Sequence, residues 1–285
     1  MEKKKSYLGN VLERFSHHRL ALIGSIFLIL EILVVIVLPL VTKMDPIKSD
    51  FSVFESGPVK GHLLGTDDLG RDILARLLYG GRVSLAVGFC STTISLLIGT
   101  PLGLIAGYYR GAAEIIIMRA SEIFLAVPSM ILILVVVSIT GNSIFMLTVV
   151  IGVMGWPGFA RLIYGNVLST REKEYVEAAK AIGEKDHSLI LRYILPNTLT
   201  PILIQFTFHV ASAILQESSL SFLGLGVQAP AASWGNLLYD AQSITVLATK
   251  PWRWVPAGIL LIFTISAINF IGDGLRDALD VTRNL

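Results

Sequence analysis

Hydrophobic and polar positions along the chain fall into long uncharged runs separated by charged segments, and run length sorts them. A helix needs about 20 apolar residues to cross the hydrocarbon core of a bilayer. Leu20 to Val41 meets that length with a single charge, Glu31, and Val83 to Tyr109 exceeds it with none. The uncharged stretch from Ile123 to Ala160 would overshoot one bilayer nearly twofold at roughly 1.5 Å per residue. Gly141-Asn142-Ser143, near its middle, offers a turn, so the stretch predicts a hairpin of two spans. Asn197 to Gln216 predicts a fifth span and Trp254 to Gly272 a sixth. These runs are too long and continuous for the alternating strands of a barrel. The predicted fold is an all-α, polytopic membrane protein with a six-helix bundle.

Composition sharpens this picture in three places. Apolar residues make up 53 % of the chain and charged residues 15 %, too little polar surface to cover a soluble core. A net charge of +2 implies no strong attraction for nucleic acid. The single cysteine, Cys90, precludes an intrachain disulfide and says nothing of redox compartment. Lys3, Lys4 and Lys5 precede the first run as in a secretory signal. That run is too long for a signal core and no small-x-small cleavage site follows, so an uncleaved first span is expected. Six spans put both termini on one side, where fifteen lysines and arginines fall against eight on the other. The positive-inside rule then predicts cytoplasmic termini. The expected organisation is a tail at 1–19, a first helix at 20–41, an extracytoplasmic loop at 42–82, a five-helix core at 83–273 and a tail at 274–285.

Two segments stand apart from the spans. Ser218 to Tyr239 carries no charge, yet Gly224, Gly226, Pro230 and Gly235 interrupt any helix. Such backbone enters a membrane only where protein buries it or where it lines a cavity, so it reads either as a re-entrant gate or as a loop packed on the outer surface. The second segment is EYVEAAKAIGEKDHSLILRYILPN, residues 174–197, on the predicted cytoplasmic side. Glu174 to Ile182 is built of good helix formers, with Tyr175, Val176, Ala179 and Ile182 at helical spacing. Gly183 suits the left-handed conformation that ends a helix. Asp186 is placed to cap a second helix, and Pro196 ends the element or marks entry to the fifth span. The result is a short helix with small residues, Ala178 and Ala179, on one face, where another surface can approach closely. On periodicity alone it reads equally as a connector between two spans.

The EAA triplet, Gly183 four residues after Ala179, and Leu195-Pro196 ahead of a span resemble the EAA loop (about 166–197) of binding-protein-dependent ABC importer permeases. The family pattern has isoleucine two residues before the leucine, where this chain has Tyr193 with Ile194 beside it. HLLGTDDLGRDILARLLYGGRVSL at 62–85, SFLGLGVQAPAASWG at 221–235 and NFIGDGLRDALD at 269–280 are similar to the dipeptide, oligopeptide and nickel branch, in its C-type subunit. The resemblance runs from about residue 10 to the C-terminus. It implies a type I ABC importer permease in a bacterial or archaeal cytoplasmic membrane, embedded in membrane lipid. It also implies a homologous permease subunit, two ATP-binding subunits below, and an extracytoplasmic substrate-binding protein. By the same resemblance, ATPase coupling falls to the segment around Glu174, Tyr175, Glu177, Ala178, Ala179 and Gly183. The residues agree independently on one point: no Gly-Lys dipeptide occurs, so no Walker A phosphate loop exists here. No cofactor is expected on this chain, and ATP belongs on partner subunits.

Within the branch, peptides are the expected substrates, with nickel or a metal chelate as the alternative. A self-contained secondary transporter would show internal repeats with matching broken helices, and no matching halves are visible. A membrane enzyme would need a catalytic constellation, and G-x-S-x-G and H-E-x-x-H are both absent. Glu31 and His209 are ionisable at membrane depth and are candidate functional groups on that ground. Glu122 and Glu217, near span ends, read as structural. Asp67, Asp68, Arg71 and Asp72 lack a third kind of metal ligand and read as an ion-paired local fold. His17-His18, bordering the basic tail, reads as a headgroup contact.

Overall fold

A computed structural model describes residues 7–279. Lys3, Lys4 and Lys5 and the tail from residue 280, including the last position of the 269–280 motif, lie outside the described residues. Thirteen α-helical elements are described: α1 Tyr7–His17, α2 Arg19–Thr42, α3 Ile73–Tyr109, α4 Gly111–Ala126, α5 Ser129–Thr140, α6 Ile144–Met154, α7 Trp156–Arg171, α8 Glu174–Ala181, the single turn α9 Asp186–Ser188, α10 Leu195–Phe222, α11 Trp234–Tyr239, α12 Ile244–Thr249 and α13 Val255–Leu279. Five helical stretches are long and apolar enough to span a bilayer, and the bent pair α4–α5 makes a sixth if counted as one span.

The departures from expected boundaries have local causes. α3 begins ten residues before the uncharged run, and two of its early arginines have partners. Arg76 lies 3.5 Å from Asp67. Arg82 donates to the carbonyls of Val35 at 2.5 Å and Ile36 at 2.7 Å. Pro39 sits inside α2, has no N–H for the Val35 carbonyl, and so leaves an acceptor that this guanidinium takes. The turn at Gly141 to Ser143 is present, with Gly141 at φ +91° and Ser143 capping α6 through the Met146 amide. The uncharged stretch also breaks earlier, at Val127-Pro128, where α4 and α5 meet at 87°. Pro128 drives Val127 into extended backbone (ψ 134°), which no helix continues through.

Packing within the bundle is set by small residues. Gly99, Gly103 and Gly107 form a stripe at four-residue spacing on α3 and lie against α7. A Cβ at Gly103 would meet the Ala160 carbonyl at 2.6 Å, and one at Gly107 would meet Val167 at 2.6 Å. In lipid, where water drives no helices together, such stripes let backbones approach and gain contact. α2 packs against α13, with Glu31 buried there and the Thr264 hydroxyl 2.7 Å from its Oε1. α1 turns back onto the end of α13, where His18 meets Asp277 at 3.7 Å. The two ends of the described chain therefore meet at one end of the bundle, here the terminal end. The loop carrying α8 is also there, because α3 and α7 both finish at that end.

At the far end the chain is closely tied. α10 runs on to Phe222, and the chain then turns back so that α11 packs against α3, α10 and α13. Trp234 is fully buried, its indole N–H donating to the Leu77 carbonyl at 3.1 Å. Glu217, also fully buried, accepts from Ser84 at 2.9 Å and Ser221 at 2.7 Å. Ser84 in turn accepts the Trp234 amide at 3.2 Å. The Gly-rich segment is thus tied to the bundle through Trp234 by a buried carboxylate and its hydroxyl donors, while residues 222–224 and 228–230 stay exposed. Beside it, Asp67 accepts from the amides of Leu69 and Arg71 and from Arg71 Nε, and Asp72 caps α3 at the Ala75 amide. These acidic residues organise the 43–72 loop. Among the described residues no group of three or more potential metal-ligating side chains is assembled.

Candidate functional site

α8 has eight residues, too few to be stable as an isolated helix in water, so its position depends on what it rests against. Val176 and Ala179 are buried, 3 % and 5 % exposed. They rest on the π-helical turn Leu189–Ile194 and the end of α7. Gly183 closes the helix at φ +86°. Its amide bonds the Lys180 carbonyl at 3.1 Å, and the Glu184 amide bonds the Ala179 carbonyl at 3.2 Å. This paired pattern is the Schellman closure, and it needs a residue with positive φ at that point.

The expected small-residue face is divided by this arrangement. Ala179 faces the protein's own core, whereas Glu174, Tyr175, Glu177, Ala178 and Gly183 are exposed. Tyr175, Ala178 and Ile182, at spacings of three and four, share the outward face, with Ile182 82 % exposed. Helical spacing alone does not separate these faces, since Tyr175, Val176, Ala179 and Ile182 all fit an apolar stripe.

Three residues that sequence reasoning did not assign to the site fix the loop in place. Arg171, the last residue of α7, donates to the Tyr108 carbonyl at 2.8 Å and approaches that of Gly107 at 3.4 Å. A cation there satisfies carbonyls at the end of α3 that have no partner within the helix. Asp186 does not use its side chain as a helix cap; its carboxylate accepts the Tyr108 phenol at 2.6 Å. The one visible signal was tyrosine at the polar end of a span, an amphipathic side chain suited to such an edge. A cavity of about 550 Å³ lies between α3, α7 and α8, with Arg110, Lys180 and Glu177 among its walls.

The other candidates have identifiable surroundings. His209 stacks on Phe159 with ring centroids 5.0 Å apart and lies against Gly155, where α6 gives way to α7. Its Nδ1 is buried without a hydrogen-bond partner, as is Oε2 of Glu31. Glu122 pairs with Arg119 at 2.7 Å. Asp68 lies 3.3 Å from Arg253, a nearly buried guanidinium that also bonds Glu55 at 2.7 Å and Asp240 at 2.7 Å. Lys250 pairs with Glu55 as well. The hydrogen bond from Lys250 holds the Glu55 carboxyl below its ordinary 4.5. Burial raises Asp240 above its ordinary 3.8 against the pull of Arg253.

Five candidate spans, or six with the bent pair, and a short exposed helix between two of them make this a polytopic helical membrane bundle. Two family profiles match the chain. Residues 99–282 match the binding-protein-dependent transport system inner membrane component, and residues 6–58 match the N-terminal transmembrane domain of oligopeptide transport permease C. The chain belongs to the first of these families. It is 41 % identical over 268 residues to a dipeptide transport system permease of Alkalihalophilus pseudofirmus, covering 94 % of this chain and 88 % of that one. The oligopeptide transport system permease of Bacillus subtilis is 38 % identical over 280 residues, with coverage of 98 % and 91 %. A glutathione transport system permease of Pectobacterium atrosepticum is 41 % identical over 231 residues, with coverage of 81 % and 76 %. In fold, the chain is similar to an inward-facing MetNI methionine ABC transporter, with TM-score 0.58, 21 % identity, and coverage of 73 % of this chain and 98 % of that one.

Proposed function

We propose that this chain is the C-type permease subunit of an ATP-driven importer that moves di- or oligopeptides across the cytoplasmic membrane. The observation that carries the coupling part is the outward face of α8. Tyr175, Ala178 and Ile182 lie uncovered on a helix whose inner face is already packed. An apolar strip on a polar loop fits a protein partner, and the missing phosphate loop requires that ATP be bound by such a partner. The complex then comprises this subunit, a homologous permease, two ATPase subunits against α8 and a binding protein at the far end. The terminal end faces the cytoplasm, as the excess of basic residues implies. The names of the relatives favour peptides over nickel or a metal chelate.

Reconstitution in proteoliposomes tests this reading. Uptake of labelled dialanine or tetra-alanine should need both ATPase subunits and ATP, and the purified chain alone should hydrolyse none. Uptake by the chain alone under an ion gradient would establish a secondary carrier instead. Orientation is checked by a cysteine placed at Ser56 with Cys90 replaced, which should react with an impermeant reagent from outside only.

A further inference from the structure

We propose that Tyr108 and Asp186 form a latch that delivers movement of α8 to α3, making both positioning residues for transport rather than part of the ATPase contact. The proposal rests on the reading of α8 as the docking helix. α8 is bracketed in sequence by Arg171 and Asp186, and both side chains reach the same few residues at the end of α3. Arg171 grips the backbone of Tyr108 at 2.8 Å, and Asp186 grips its phenol at 2.6 Å. Displacement of α8 therefore pulls on α3 from both flanks.

α3 is suited to carry that displacement. It has 37 residues, about 55 Å at 1.5 Å per residue, and its glycine stripe packs it closely on α7. Its outer half holds Trp234 of α11 through Ser84 and the Leu77 carbonyl. One continuous helix thus joins the docking loop at the terminal end to α11 at the far end. The Arg171 contact is to backbone and holds whatever side chain stands at 108. The phenol–carboxylate bond is the part that side-chain substitution can remove.

The test uses Tyr108→Phe, Asp186→Ala and the double variant in the assembled importer, with labelled dialanine as the probe. Each single variant should lower peptide moved per ATP hydrolysed roughly fivefold, about the net worth of one ordinary, solvent-exposed hydrogen bond. ATPase subunits should stay bound. The double variant should be no worse than either single, because one bond is lost in all three. Asp186→Glu, which keeps an acceptor, should recover part of the loss. Unchanged coupling would overturn the proposal. So would losses that simply add, or loss of the ATPase subunits from Tyr108→Phe. Ala178→Trp on the outer face separates the underlying reading: if it leaves ATPase binding intact, the docking assignment fails, whatever the latch variants do.

Discussion

The two ends of the bundle solve opposite problems with similar materials. At the far end, several charged groups find partners within the chain, while the indole N–H groups of Trp252 and Trp254 are buried without one. Glu217 is enclosed by serine hydroxyls, Trp234 is fully buried, and Arg253 gathers three carboxylates. At the terminal end, α8 buries two side chains and leaves Tyr175, Ala178 and Ile182 uncovered. Buried polar groups must be paired or they cost stability, so the pairing of Glu217 and of Arg253, each with its own partners, helps hold the far end together. An exposed apolar strip on a short helix gains nothing until something covers it. Loss of the buried far-end network is therefore expected to be felt in folding, and change at the outward face of α8 in what docks there.

The largest expected effect breaks the far end. Trp234→Ala removes a fully buried side chain together with its indole hydrogen bond to the Leu77 carbonyl, which should cost about 3–5 kcal/mol. Thermal unfolding in detergent would show a large fall in Tm. A variant with unchanged Tm would mean that α11 is only loosely attached, and the contrast between the two ends would collapse.

An intermediate effect sharpens the contrast inside α8. Ala179→Trp overpacks the inner face and should cost about 1–3 kcal/mol in this chain alone. Ala178→Trp, one residue away on the outward face, should stay within about 0.5 kcal/mol of the parent and instead weaken ATPase association. Unfolding of the isolated chain and co-purification of the complex separate the two outcomes. If the pair behaves alike in both assays, the two faces are not distinct and the docking face is wrongly assigned.

Spans were legible because run length against bilayer thickness is a strong constraint. Their true ends were less so, since they depend on partners distant in sequence. α3 includes two arginines that Asp67 and the carbonyls near Pro39 meet. The 87° bend at Pro128 was hidden because its flanks are uniformly apolar. Around α8, the terminating Gly183 could be read from local backbone chemistry. The inward burial of Ala179 and the pairing of Asp186 with Tyr108 could not, because both depend on where α3 and the Leu189–Ile194 turn sit. Asp186 is a sound helix cap by residue type, and a phenol 78 residues away claimed its carboxylate instead.

The smallest expected effect concerns pH at the far end, where Arg253 and Lys250 join the last loop to residues 43–72. Glu55 titrates below its ordinary 4.5, chiefly through the Lys250 hydrogen bond. Its contribution is therefore present above the unfolded value and is lost only as pH falls through the lower folded value. Asp240 is shifted the other way, upward from 3.8 by burial. Its contribution is fully present below the unfolded value and fades as pH rises through the folded one. Acidification thus favours the protonated Asp240 before it releases Glu55, and the two shifts oppose each other across the same arginine. Both Glu55 and Asp68 reach solvent, which screens the net effect. Hydrogen exchange of the 43–72 amides should consequently change little, after correction for the intrinsic pH dependence of exchange, between about pH 7 and about pH 5, and protection should fall only below 4.5, where Glu55 takes up its proton. Loss of protection already near neutral pH would place the controlling group elsewhere and remove this ion-paired junction from what holds the far end closed.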